Sequence, residues 1–123
     1  MNRVTAIRTA IGAALAAVGN VHYEDAPDNA TYPYLVFNLP NSIDSGTLEQ
    51  FVLDVDGWDD DTNTTTLEAL MYSADQVLHR KTFISGDLGF RVYRSNRLVL
   101  DEREPRLRRR KYIYEVRAYE GGI

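Results

Sequence analysis

The chain has 123 residues, 44% hydrophobic and 26% charged, which fits one soluble globular domain able to bury a core unaided. It contains no cysteine, and this excludes disulfides, thiolate metal sites and a cysteine nucleophile. The net charge of -4 conceals a split: Met1 to His79 carries two basic residues against twelve acidic, and Arg80 to Ile123 twelve basic against six acidic.

The first element is a helix over about Asn2 to Val18, with Val4, Ile7, Ile11, Leu15 and Val18 at i+3/i+4 spacing and a stop at Gly19-Asn20. Arg3 and Arg8 ahead of "AIGAALAAVG" imitate a signal peptide, but no clean small-x-small cleavage site precedes Asn20. No run approaches the length needed to cross a membrane. "VHY" is a short strand and "EDAPDNAT" a turn-rich loop. "YPYLVFNL" is a strong strand with Leu35, Phe37 and Leu39 on one face and Pro33 at its start.

"TLEQFVLDVDGW" is the next strand. Phe51, Leu53 and Val55 alternate onto one face, which leaves Asp54 and Asp56 on the other. "DDDTNTTTLEAL" starts a second helix, where Thr65 and Glu68 have capping-box spacing and Leu67, Leu70, Met71, Ala74, Val77 and Leu78 form the apolar stripe. "RKTFISGDLG" turns the chain. Two strands close it: "FRVYRSNRLVLDE", with Phe90, Val92, Leu98 and Leu100 on one parity, and "KYIYEVRAY", with Tyr112, Tyr114, Val116 and Ala118 on one parity. "REPRLRRR" lies between them as the tip of a hairpin. The expected fold is a single α+β domain over residues 1–123, a largely antiparallel sheet of four to five strands with two helices covering one face.

Three groups of residues invite chemistry. Asp54 and Asp56, in an apolar strand running into Asp-x-Asp-Gly, have the spacing by which haloacid-dehalogenase phosphatases present a nucleophile and its acid/base partner. Trp58 follows the glycine where that motif has threonine or valine, and no later series of strand–helix units supplies a doubly wound sheet. A calcium loop counted from Asp54 fails in register, with Trp58 at position five and Thr65 at position twelve. His79, at a helix C-terminus, suits the dipole there, and nothing nominates a partner for His22. Arg106, Arg108, Arg109, Arg110 and Lys111, near Tyr112 and Tyr114, could grip a phosphate backbone, or they could be a solvated hairpin tip.

The order of elements resembles the tail-completion, or tail-terminator, proteins of long-tailed bacteriophages. The resemblance rests on an N-terminal helix, "TYPYLVFNLP" after a Pro/Asp-rich loop, "LEQFVLDVDGW" with an acidic exit into "TTTLEALMYSADQVLH", and the closing strands "FRVYRSNRLVL" and "RKYIYEVRAY". It implies a structural protein of the virion tail, put together in the cytoplasm of a bacterial host, with no catalytic residue and no cofactor. Such a protein caps the tail tube as a homo-oligomeric ring, meets the tail tube protein and the head–tail connector, lets DNA pass only as cargo and touches no membrane. The charge split suggests where subunits meet. Arg106, Arg108, Arg109 and Arg110 of one copy would face Asp54, Asp56, Asp59, Asp60 and Asp61 of the next, with Tyr93, Tyr112 and Tyr114 adding apolar contact. The alternatives are a nucleic-acid-binding module using the arginines and a magnesium phosphatase using Asp54 and Asp56.

Overall fold

A computed structural model describes residues 2–120. Helix α1 (Arg3–Ala16) is followed by strands β1 (Asn20–Tyr23), β2 (Tyr34–Asp44) and β3 (Leu48–Asp60), helix α2 (Thr65–Leu78), and strands β4 (Thr82–Ser85), β5 (Leu88–Leu100) and β6 (Leu107–Glu120). The six strands form one sheet in the order β1-β2-β3-β6-β5-β4, and every pairing is antiparallel except β1 with β2. The sheet is therefore mixed and has six strands, where sequence suggested four to five. The extra strand, β4, is four residues long and hides in a stretch whose Gly86, at φ 60, makes the turn.

Both helices lie on one face of the sheet. Ile7, Ile11 and Leu15 of α1 are fully buried with Leu67, Met71, Ala74 and Leu78 of α2, against Leu35, Leu53, Val55, Phe90, Val92 and Val116 of the sheet. Val4, counted in the α1 stripe, is exposed. The α2 stripe also contains Asp75, which is buried. Gly57 lets α2 approach β3 closely, because a Cβ there would overlap the sulfur of Met71.

Three local features differ from the sequence reading. The α2 capping box does not form. Thr64 is the N-cap with no side-chain bond, Asn63 Oδ1 accepts from Thr65 N at 3.0 Å, and Glu68 turns away to Arg110. Second, β6 begins at Leu107, so Arg108, Arg109 and Arg110 are strand residues and only Arg106 sits in the turn. Third, the β5–β6 register shifts between Arg94 and Asn96, leaving Ser95 as an extra residue. That bulge reverses the parity of the strand. Phe90 and Val92 face the helices, whereas Leu98 and Leu100 pair with Lys111 and Arg109 on the opposite face.

Arg3 fastens the first turn of α1 to the sheet. It donates to Glu120 at 2.9 Å, to Glu49 at 3.0 Å and to the Gly46 carbonyl at 3.2 Å, with Asp44 at 3.5 Å. A cation at a helix N-terminus opposes the helix dipole, and these carboxylates offset it. The Arg3 guanidinium, by hydrogen bond and then by charge, holds the Glu120 carboxyl below its ordinary range.

Candidate functional site

Among the described residues, no helix covers the second face of the sheet. Alternation along β3 sends Asp54, Asp56 and Trp58 there, and the antiparallel register sets Lys111 opposite Asp56 and Arg109 opposite Trp58 on β6. The charges then pair diagonally. Arg109 Nε donates to Asp56 Oδ2 at 2.6 Å, and the Lys111 ammonium lies 3.5 Å from Asp54 and 3.8 Å from Asp56. The Arg109 guanidinium stacks over the Trp58 ring, 4.7 Å from its centroid, and also meets Glu102 at 3.5 Å.

This cluster floors a depression of about 230 Å³ whose rim carries Glu24, Asp25, Tyr34 and Val36. Asn38 Oδ1 is buried beside it without a hydrogen-bond partner among the described residues. Farther along the same face, Tyr93 is flanked by Arg91 and Arg117, at 5.5 and 5.2 Å from its ring centroid.

The structure brings the expected acids and arginines together within one chain. Arg106 reaches Asp60 at 3.6 Å, Arg110 holds Glu68 at 2.5 Å, and Arg108 donates to the carbonyls of Pro105 and Leu107. Asp59 accepts from the backbone of Asp60, and Asp61 from that of Asn63. Much of the charge split along the sequence is therefore neutralised between adjacent strands, since β3 is the acidic neighbour of basic β6. Asp56 and Asp59 are buried, which removes them from any open acidic surface.

Two of the three tyrosines are misplaced by the sequence reading. Tyr112 and Tyr114 lie on the helix side and are buried, and only Tyr93 faces outward. Tyr114 donates to Asp75 Oδ1 at 2.8 Å, and Arg94 Nη1 donates to Asp75 Oδ2 at 2.6 Å. Burial, followed by the hydrogen bond to Asp75, raises the Tyr114 phenol well above its ordinary value. His79 is not a lone dipole partner: its Nδ1 accepts the backbone N–H of Arg94 at 2.9 Å.

Sequence reasoning missed the Asp75–Tyr114–Arg94 group and the Arg3 clamp. The first left a signal, because an acid stands inside the α2 apolar stripe four residues after Met71. As for phosphatase chemistry, Asp54 and Asp56 lie mid-strand in a mixed, mainly antiparallel sheet and are already bound by Lys111 and Arg109. Among the described residues, no three His, Asp or Glu side chains cluster as metal ligands would.

No protein-family model and no curated protein matches the chain. Among solved structures it is similar to a chain from the virion of a native gene transfer agent particle. The TM-score is 0.74 at 13% identity, and the match covers 97% of this chain and 99% of that one. At that identity the likeness establishes a shared fold.

Proposed function

We propose that the chain is a structural protein of a phage or prophage virion, and that it closes the head-proximal end of the tail tube as a ring and joins it to the head connector. The observation that carries the reading is the end-to-end likeness of this fold to a chain of a virion particle, with almost nothing left over on either side. Supporting it are the order of elements noted in the sequence and an uncovered sheet face bearing Trp58, Tyr34 and Tyr93 among ion pairs. Aromatic residues set among arginines suit a protein contact. The nucleic-acid reading loses ground because Arg106, Arg109 and Arg110 are each engaged by a carboxylate of the same chain.

The test is a deletion of the gene in the phage or prophage that carries it. Heads and tails should then form without joining, with tails of uncontrolled length in electron micrographs. Complementation with the intact chain should restore joined particles. Normal virions from the deletion strain would refute the role.

A further inference from the structure

The two margins of the sheet are stepped, and the steps match. On one side β1 covers only Tyr34–Phe37 of β2, so Asn38–Asp44 has β3 as a neighbour and, among the described residues, no strand beyond it. On the other side β4 covers only Leu88–Arg91 of β5, and Asn96–Leu100 has β6 as a neighbour and, among the described residues, no strand beyond it. Each margin is thus a four-residue tab beside an open ledge. Unpaired strand edges carry rows of free N–H and C=O groups and are templates for another strand.

The tabs stand at opposite ends of the sheet. One row of paired residues runs Asn20, Tyr34, Trp58, Arg109, Leu100, which puts the β1 tab level with the β5 ledge. Another runs Asp44, Glu49, Ala118, Phe90, Phe83, which puts Thr82 and Phe83 of the β4 tab level with Ile43 and Asp44 at the end of the β2 ledge. When a second copy is set beside the first in the same orientation, each tab meets a ledge. The strand directions also agree, with β1 antiparallel to the β5 ledge and β4 parallel to the β2 ledge. Exposed apolar side chains gather here: Ile84 on a tab, and Ile43 and Val99 on the ledges, are 74%, 69% and 69% exposed.

Charge points the same way. The margin from Asn20 to Asp44 contains Glu24, Asp25, Asp28 and Asp44 and no lysine or arginine. The margin from Arg80 to Leu100 contains Arg80, Lys81, Arg91, Arg94 and Arg97 against Asp87 alone. Glu24, Asp25, Asp28, Arg80, Lys81 and Arg97 are exposed and form no ion pair among the described residues. Arg97 is moreover level, through Tyr112, Val55 and Phe37, with Tyr23 at the end of the β1 tab, next to Glu24.

We propose that copies of this chain join edge to edge, tab on ledge, into a continuous sheet, with the acidic Asn20–Asp44 margin of one copy against the basic Arg80–Leu100 margin of the next. The two margins differ, so the contact is heterologous and repeats around a ring. The proposal deepens the ring reading above by replacing the arginine hairpin, spent on its own chain, with the two sheet edges.

Charge-swap mixing tests it. One variant combines Lys81→Glu with Arg97→Glu, and the other Asp25→Lys with Asp28→Lys; unchanged melting curves would verify that both fold. In sedimentation at rising concentration, the intact chain should form larger species, and each variant alone should lose them. An equimolar mixture should regain them, because the two variants can alternate around the ring. An intact chain that stays monomeric up to millimolar concentration, a variant that associates like the intact chain, or a mixture that fails to recover would each overturn the interface. The tail-capping role is read separately by capture on tail tubes. Edge-dependent association without capture would keep the interface and remove the role, and capture unaffected by either variant would do the reverse.

Discussion

Arg109 is held between Asp56 and Trp58, donating to the carboxylate from Nε at 2.6 Å while its guanidinium lies 4.7 Å from the indole centroid. One side chain thus neutralises a buried acid and covers an aromatic ring on an otherwise open sheet face. Arg109→Leu should leave Asp56 without its hydrogen-bonded partner and with only the Lys111 ammonium, 3.8 Å away, to offset its charge. The pair is partly screened, with Arg109 about a quarter exposed, so the loss falls between the surface and buried limits, about 1–3 kcal/mol by urea unfolding. Adding Asp56→Asn should recover part of it, and additive losses in that double-mutant cycle would show that the two side chains are not coupled.

Asp75 is the buried acid of the other face. Tyr114→Phe removes one hydrogen bond but leaves Arg94, and should cost about 1–3 kcal/mol. Asp75→Ala strands both the phenol and the guanidinium and should cost more, about 3–5 kcal/mol. Chemical denaturation of the two variants side by side checks the order. Equal losses would mean that Arg94 contributes nothing through Asp75.

Gly57→Ala should destabilise the domain although alanine is the smallest addition available. Its methyl would push on Met71 and, through it, on the seat of α2 against β3. Overpacking of this kind costs about 1–3 kcal/mol. Met71→Ala in the same chain should relieve part of that strain, which thermal melts of the single and double variants would reveal.

Acid should loosen the α1 clamp. The folded-state pKa of Glu120 is depressed by Arg3, so the folded chain binds fewer protons there than the unfolded chain. The sign follows: this contribution is fully present above the ordinary glutamate pKa and is lost as pH falls through the depressed value. Arg3→Gln should flatten the stability curve in that acid window and leave its shape near neutrality unchanged. A parallel acid limb in Arg3→Gln would assign the dependence to other carboxylates.

Periodicity carried the helices and the core. Ile7, Ile11 and Leu15, the α2 stripe, and the alternation of Leu53 and Val55 all point where spacing places them, because each element has one apolar side to hide. The outer-face cluster was half legible. Parity placed Asp54 and Asp56 opposite the core, but which strand would lie beside them is a matter of sheet order, which pattern does not encode. Once β6 is known to be that neighbour, the meeting of acids and arginines follows. The tyrosines failed for another reason. Tyr112 and Tyr114 share the parity of Val116 and Ala118, and that parity faces the helices, where Asp75 and Arg94 satisfy the Tyr114 hydroxyl. The short strands β1 and β4, which make the stepped margins, are near the length at which sequence patterns lose meaning.

Ser95 lets β5 take a change in length inside a strand, where one lost residue ordinarily turns every later side chain to the other face. Arg94 pairs with Tyr114 and Asn96 with Ile113, so deleting Ser95 would remove the bulge and leave Asn96–Leu100 on the partners they have now, with Leu98 still opposite Lys111 and Leu100 still opposite Arg109. Related chains should therefore differ in length by one residue at this point while keeping the facing of the strand on either side of it. In this stretch, the face each side chain takes is under tighter constraint than the residue count.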